Sequence, residues 1–286
     1  MISVGGQAVV FGLTASAIWG AADFSGGLAT KRAAPALVVF IAHGLSLIVL
    51  LGIVAARREA PPADIFLGLL AGASGSIGLM ALYAALSLGS MGLAAATCSV
   101  VTATLPVLYS YLLEGHAGVV RLIGFAVAAV AIWLIAYTPG DKPHPRGLGL
   151  AVLAGLGCGF SMVLLHIGAA ESLPWTLTLM RLASTVISGT FGLALLIRER
   201  GSVAKGSFSW RSAFLLAALA GLLDTSGNLF YVLASFAGRL DVAAVLSSLY
   251  PAGTMLLAAW LLKERATRSQ MAGMFLALAA VALIST

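Results

Sequence analysis

The sequence predicts an all-α integral membrane protein: ten transmembrane helices, arranged as two inverted five-helix repeats around a central cavity. Three observations lead to this fold class. Of the 286 residues, 60% are hydrophobic and only 9% are charged, whereas an average soluble domain has about 25% charged residues. Apolar windows of about twenty residues recur along the chain, each long enough to cross a hydrocarbon layer as a helix. The third observation is an internal repeat with an odd number of spans.

Charges, prolines and glycines divide the chain into ten predicted spans. The first apolar run is too long for a signal peptide and lacks a basic region before it, so we predict that it is the first span. The longest connections are 138–147 and 198–211, which leave no room for a separate soluble domain. The predicted spans are 8–28, 33–56, 64–88, 92–113, 119–138, 147–170, 174–197, 211–236, 240–262 and 268–285.

An internal repeat relates the two halves of the chain. Tyr83 aligns with Tyr231 and Ser76 with Asp224, and after a shift of one residue the segment 124–135 aligns with 273–284. A repeat of five spans enters the membrane in the opposite sense the second time, and inverted repeats of this kind build alternating-access transporters with a midplane substrate site. The predicted domains are a first repeat at 1–139, a linker at 140–146 and a second, inverted repeat at 147–286.

The basic residues predict the orientation of the chain. The net charge is +6, but these residues sit in loops, where anionic lipid and the positive-inside rule are sufficient causes, so no nucleic-acid partner is expected. Loops after even-numbered spans hold only Arg57, Arg58, Arg121 and Arg239. The bias places both termini on the periplasmic side. Loops after odd-numbered spans hold Lys31, Arg32, Lys142, Arg146, Arg198, Arg200, Lys205, Arg211, Lys263, Arg265 and Arg268.

The ends of the repeats carry a family resemblance. The stretch LYPAGTMLLAAWLLKERATRSQMAGMFLALAAVALI contains Pro251, Glu264 and the span-opening Gly273, and PWTLTLMRLAST contains a proline followed by Arg181. Together with the ten-span pattern, these motifs resemble the EamA-type members of the drug/metabolite transporter superfamily, and the composition is most similar to the YddG-type amino-acid exporters. The resemblance implies a ten-helix transporter with a central site formed by the first four spans of each half, and it implies cytoplasmic termini.

The first repeat departs from this motif pattern. Val101 stands at the position of the signature proline, and His43 stands near the position that Arg181 occupies in the second repeat, whereas Glu114 is retained. These departures bear on substrate specificity rather than on the fold.

A polar stripe interrupts the apolar eighth span. Asp224, Asn228, Tyr231 and Ser235 are spaced so that they share one helix face. An ionised aspartate at the bilayer centre costs roughly 2.5–3.5 kcal/mol even on insertion scales. The stripe is therefore expected to face protein or a water-filled cavity, with Asp224 either a proton carrier or a partner that ties the helix to a neighbour.

Other polar side chains fall where the repeat predicts a central cavity. Arg181 is a candidate partner for a substrate carboxylate, or could snorkel to the interface; Asp23 is a cavity or an interfacial residue. His43 and His166 are expected to be interhelical hydrogen bonders or proton carriers, and Cys98 and Cys158 small packing residues. The predicted cavity residues are Trp19, Asp23, His43, Tyr83, Ser99, Thr102, Arg181, Asp224, Asn228, Tyr231 and Ser248.

These residues favour transport over other functions. Phosphate esters would require more intramembrane cations than Arg181 alone. Ser161 and His166 lie on different helix faces, so they could not act together as the nucleophile and base of an intramembrane serine protease. We predict an inner-membrane exporter or exchanger of amino acids, neutral or aromatic, with a cationic-compound exporter and a non-transporting receptor as alternatives. We expect a monomer in the lipid bilayer, with protons as a candidate coupling ion and without a metal or other cofactor.

Overall fold

The computed structural model describes residues 4–87, 91–136, 145–198, 210–261 and 267–284. In these ranges the chain is helical and contains no strand. Four of the described helices are long and apolar enough to span a membrane by length and composition. The helices are α1 (Val4–Thr30), α2 (Pro35–Arg57), α3 (Phe66–Ser87), α4 (Met91–Leu113), α5 (Val119–Ala136), α6 (Pro145–Arg198), α7 (Trp210–Ala237), α8 (Leu240–Ser247), α9 (Tyr250–Leu261) and α10 (Arg268–Ile284).

The helices do not match the predicted spans one to one, and the number of membrane crossings stays a prediction. Helix α6 consists of two helical segments that meet at a kink, and these hold the sixth and the seventh predicted span. It turns at Ser172, which has extended dihedrals (φ −156°, ψ 108°). Pro174 removes a backbone donor from the following turn, and the Ser172 hydroxyl accepts a hydrogen bond from the Trp175 amide at 3.3 Å. The turn therefore has the features of a new helix start.

The ninth predicted span is divided between α8 and α9. The break lies at Ser248 and Leu249, directly before Pro251. Proline cannot donate the backbone hydrogen bond that would continue the helix, and its ring disfavours the helical conformation in the residue before it. The ninth span, predicted as continuous over 240–262, is therefore interrupted one turn before its middle.

The two halves of the chain pack through reciprocal contacts. A Cβ atom on Gly124 of α5 would lie 2.8 Å from Cγ1 of Ile284, and a Cβ atom on Gly273 of α10 would lie 2.8 Å from the backbone nitrogen of Ile135. These four residues occupy matching positions in the aligned segments 124–135 and 273–284. The contact of Gly124 with Ile284 in the first half therefore corresponds to the contact of Gly273 with Ile135 in the second half.

Two further close glycine contacts lie deeper in the structure. A Cβ atom on Gly72 of α3 would overlap the carbonyl oxygen of Met180 in α6, and one on Gly221 of α7 would overlap the carbonyl oxygen of Ala42 in α2. Glycine at these positions lets two backbones approach closely, as in other membrane helix pairs.

Apolar side chains cover the outer faces of the fold. Helices α5 and α10 pack against each other, and each turns large apolar residues outward, such as Ile123 and Phe275. Trp133 and Trp260 are also exposed. The polar side chains of the interior lie instead where α1, α2, α3, α4, α6 and α7 meet.

Candidate functional site

A cavity of about 120 Å³ lies between the two halves of the chain. It is bounded by α1 to α4 from the first half, by both segments of α6 and by α7 from the second half, and by the break between α8 and α9. The polar and thiol side chains that line it are Trp19, Asp23, His43, Ser76, Cys98, Thr102, Cys158, Ser161, Arg181, Ser184, Asp224, Asn228, Ser248 and Tyr250.

Most of the predicted cavity residues line this space, but not all of them. Ser99 and Tyr231 are fully buried beside it rather than in its wall. The side chain of Tyr83 lies outside the described residues. The predicted residues in the wall are Trp19, Asp23, His43, Thr102, Arg181, Asp224, Asn228 and Ser248.

Arg181 and Asp224 form an ion pair in the cavity wall. Arg181 Nη2 donates a hydrogen bond to Asp224 Oδ2 at 2.5 Å, and Arg181 Nε donates one to the Thr225 hydroxyl at 3.0 Å. The Arg181 side chain is 1% exposed and the Asp224 side chain is 32% exposed. The structure therefore gives Arg181 a carboxylate partner within the protein, and the carboxylate is the member of the pair that faces the cavity.

His43 joins the same group from α2. Its Nε2 lies 3.5 Å from Asp224 Oδ2, and its Nδ1 shares a hydrogen bond of 2.5 Å with the Ser184 hydroxyl. Ser184 lies one turn after Arg181 on α6, and its carbonyl accepts a hydrogen bond from Ser76 at 3.5 Å. His43 thus makes an interhelical hydrogen bond, one of the two roles predicted for it, and it links α2 to α6.

The polar stripe of α7 faces the interior along its length, partly the cavity and partly neighbouring helices. Asn228 and Tyr231 are buried; the Tyr231 hydroxyl donates to the Met162 carbonyl at 3.3 Å, and its ring lies 5.9 Å from that of Trp19. At the end of the stripe, Ser235 shares a hydrogen bond of 2.9 Å with His166. The end of the stripe with Tyr231 and Ser235 is therefore a packed helix contact, and only the end with Asp224 and Asn228 borders the cavity.

Asp23 differs from the other charged groups of the cavity. It is partly exposed in the wall, on the same helix face as Trp19. Among the described residues, its carboxylate has no hydrogen bond or ion pair. Ser248, which is 1% exposed and lines the same cavity, also lacks a hydrogen-bond partner in the described part of the chain. The cavity therefore presents an unpaired carboxylate and an unpaired hydroxyl.

Sequence reasoning missed several residues of the wall. Cys98 and Cys158 were expected to be packing residues, but both line the cavity, and Cys98 Sγ lies 3.9 Å from the Thr102 hydroxyl. Tyr250 enters the wall because the helix breaks just before it. Ser184 could have been found from its spacing to Arg181, since residues three apart share a helix face.

A hydrogen-bonded network joins the two halves away from the cavity. Arg239, between α7 and α8, donates to the Gly115 carbonyl at 2.9 Å and to the Ser110 hydroxyl at 3.2 Å. Its hydrogen bonds to Asp241 raise the pKa of Arg239 above its ordinary value. Glu114 accepts a hydrogen bond from the Ser110 hydroxyl at 2.6 Å. These contacts hold the end of α4 against the start of α8.

The fold and its buried polar cavity define a multi-pass helical membrane protein. Residues 145–286 match the EamA-like transporter family, so the second half of the chain is an EamA-like transporter domain. The curated proteins gave no match to the chain. Among solved structures, a crystal structure described only as that of a protein is similar over 100% of this chain and 99% of its own, with a TM-score of 0.78 and 17% identity. That likeness shows the fold alone.

Proposed function

We propose that this protein carries small organic solutes across the inner membrane through the central cavity. The observation that carries the proposal is the position of the cavity: its wall is built from both halves of the chain, where transporters with inverted repeats bind their substrates. The EamA-like domain at 145–286 supports transport as the activity. A buried cavity with charged residues in its wall is also expensive to maintain in a membrane protein without a solute or ion to use it.

Alternating access between two inverted repeats is the mechanism we propose. The reciprocal contacts of Gly124 with Ile284 and of Gly273 with Ile135 support it, since a two-fold relation between the halves produces such pairs. The close glycine contacts at Gly72 and Gly221 would let rigid helix groups rock against each other around the cavity. The network around Arg239 would have to open in one of the two access states.

The substrates that we propose carry an amino group. Amino acids are the first candidates, because the sequence resembles amino-acid exporters. Organic cations are the second candidates, because two carboxylates stand in the same wall. Protons are a candidate coupling ion for either class.

Counterflow in proteoliposomes tests the transport proposal. Vesicles with the purified protein and an internal load of unlabelled solute should accumulate the matching labelled solute from a panel of amino acids and amines. If no solute of either class exchanges in vesicles that contain folded protein, the proposal fails, and a ligand that binds without exchange would favour a receptor.

Narrowing the cavity is expected to abolish counterflow. Leu79 lines the cavity, so Leu79→Trp places a larger side chain in a space of about 120 Å³. Ile77, two residues earlier on α3, is 47% exposed on the outer face. The control Ile77→Trp should therefore transport like the wild type. Equal transport by both tryptophan variants would show that solute does not pass through this cavity.

A further inference from the structure

We infer that the cavity selects amines and organic cations that have no carboxylate, rather than zwitterionic amino acids. The inference rests on the proposed transport function and narrows its substrate class. It follows from which charges in the wall are already paired within the protein and which are not.

The arginine of the wall is not available to a substrate carboxylate. Arg181 is 1% exposed, and two of its donor nitrogens are already bound to Asp224 and Thr225. A substrate carboxylate would have to displace Asp224, which would leave that aspartate without its partner in a site of low polarity. Breaking a buried ion pair in this way is strongly unfavourable.

Histidine does not supply the missing cation. Nε2 of His43 lies against Asp224, and Nδ1 is engaged with Ser184. Any positive charge on the imidazole is therefore directed toward Asp224. Among the ionisable residues that line the cavity, two carboxylates stand against one guanidinium.

Asp23 is the charged residue of the cavity wall that has no ion-pair partner among the described residues. Its carboxylate has no partner within the described residues, and it lines the cavity together with Trp19 and Tyr250. An ammonium group would satisfy Asp23, and an aromatic face attracts a cation when both are shielded from water. The unpaired Ser248 hydroxyl can accept a hydrogen bond from the same ammonium or from a polar substituent.

The same wall disfavours a carboxylate. An amino acid that places its ammonium group near Asp23 would bring its own carboxylate into a cavity whose guanidinium is already paired with Asp224. A site discriminates by leaving a charge unpaired as much as by attraction. The zwitterion is therefore expected to bind more weakly than an amine of the same shape.

Matched ligand series test this inference. One series is phenethylamine, phenylalaninamide and phenylalanine; the other is 3-methylbutylamine, leucinamide and leucine. The members of a series share a side chain and an amino group. They differ in what the carbon next to the amino group carries: no carboxyl group in the amine, a neutral amide in the second compound and a charged carboxylate in the amino acid. Binding is measured by thermal shift of the purified protein, and competition by counterflow in proteoliposomes.

We expect the amine and the amide to bind at least about tenfold more tightly than the amino acid in one or both series, a difference of about 1.4 kcal/mol. Asp23→Asn should lose at least about tenfold of the amine affinity. The matched control is Asp64→Asn, since Asp64 lies on the exposed surface at the start of α3, where asparagine also caps a helix well. It should bind the amine like the wild type.

A reversed preference, with amino acids bound and exchanged while their amines are not, would overturn this inference and leave the transport proposal standing. Unchanged amine affinity in folded Asp23→Asn protein would also overturn it, as would the absence of binding by every probe. Amines that bind with the expected preference but show no counterflow would support the site and contradict transport.

The Asp224→Asn variant adds a second comparison. It removes the partner of Arg181, so the guanidinium becomes available and the affinity for the amino acid should rise relative to that for the amine. If folded Asp224→Asn protein kept the wild-type ratio of amino-acid to amine affinity, Asp224 would not be what keeps Arg181 from a substrate carboxylate. If the variant does not fold, the wild-type series and Asp23→Asn decide the question.

Discussion

Replacing Arg181 with methionine is expected to destabilise the protein by about 3–5 kcal/mol, because the change leaves Asp224 without its partner in the interior. Arg181 is 1% exposed and binds Asp224 at 2.5 Å. Methionine fills much of the same volume, so the loss should come from the unpaired carboxylate rather than from a cavity. The double variant Arg181→Met, Asp224→Leu removes both charges and should recover a large part of the stability.

The unfolding free energy in detergent, measured by denaturant titration, checks this expectation. The matched control is Arg57→Met, which breaks an exposed ion pair: Arg57 Nε lies 3.4 Å from Glu59, and its side chain is 65% exposed. Such pairs contribute about 0–1 kcal/mol. If Arg181→Met were no more destabilising than Arg57→Met, the buried pair would not hold α6 to α7.

Replacing Gly221 with alanine is expected to destabilise the protein by about 3 kcal/mol, at the upper end of what overpacking usually costs. The new Cβ atom would overlap the carbonyl oxygen of Ala42, so α7 and α2 would have to separate. Gly72→Ala should behave in the same way at the contact with Met180.

Gly52 provides the control for the glycine variants. It lies in α2, and no neighbouring atom lies within 4 Å of the position that a Cβ atom would take there. Gly52→Ala should therefore not destabilise the protein, and it gains the helix propensity of alanine, about 1 kcal/mol. Thermal unfolding of the three alanine variants gives the comparison. Stability losses of equal size at Gly52 and Gly221 would point to a general effect of glycine in these helices rather than to close packing.

Hydropathy and the internal repeat predicted much of the fold because both can be recognised from the sequence without knowing how the helices pack. Long apolar windows specify membrane helices whatever their partners are, and Pro174 and Pro251 interrupt helices by removing backbone donors. The prediction could not show that the sixth and seventh spans meet directly at a turn on Ser172, without a longer connecting loop. That depends on how sharply the chain bends, which spacing does not encode.

The site was only partly predictable, for a different reason. The cost of burying Asp224 showed that its helix face had to meet protein or a cavity. Its pairing with Arg181, however, depends on how α6 and α7 pack in three dimensions, and that pairing changes the role of the arginine from a substrate contact to an internal partner. Cys98 and Cys158 were missed for the same reason, since a small side chain does not reveal whether it faces a neighbour or a cavity.

The two cysteines give the most direct test that the cavity is the transport path. They are the only cysteines in the chain, and both line the cavity. Treating proteoliposomes with benzyl methanethiosulfonate should abolish counterflow, and excess substrate should slow the modification. The double variant Cys98→Ala, Cys158→Ala should show no inhibition relative to its own untreated rate. Mass spectrometry reports the extent of labelling: inhibition that follows labelling is the predicted result, and full labelling of both thiols with unchanged counterflow would contradict the account.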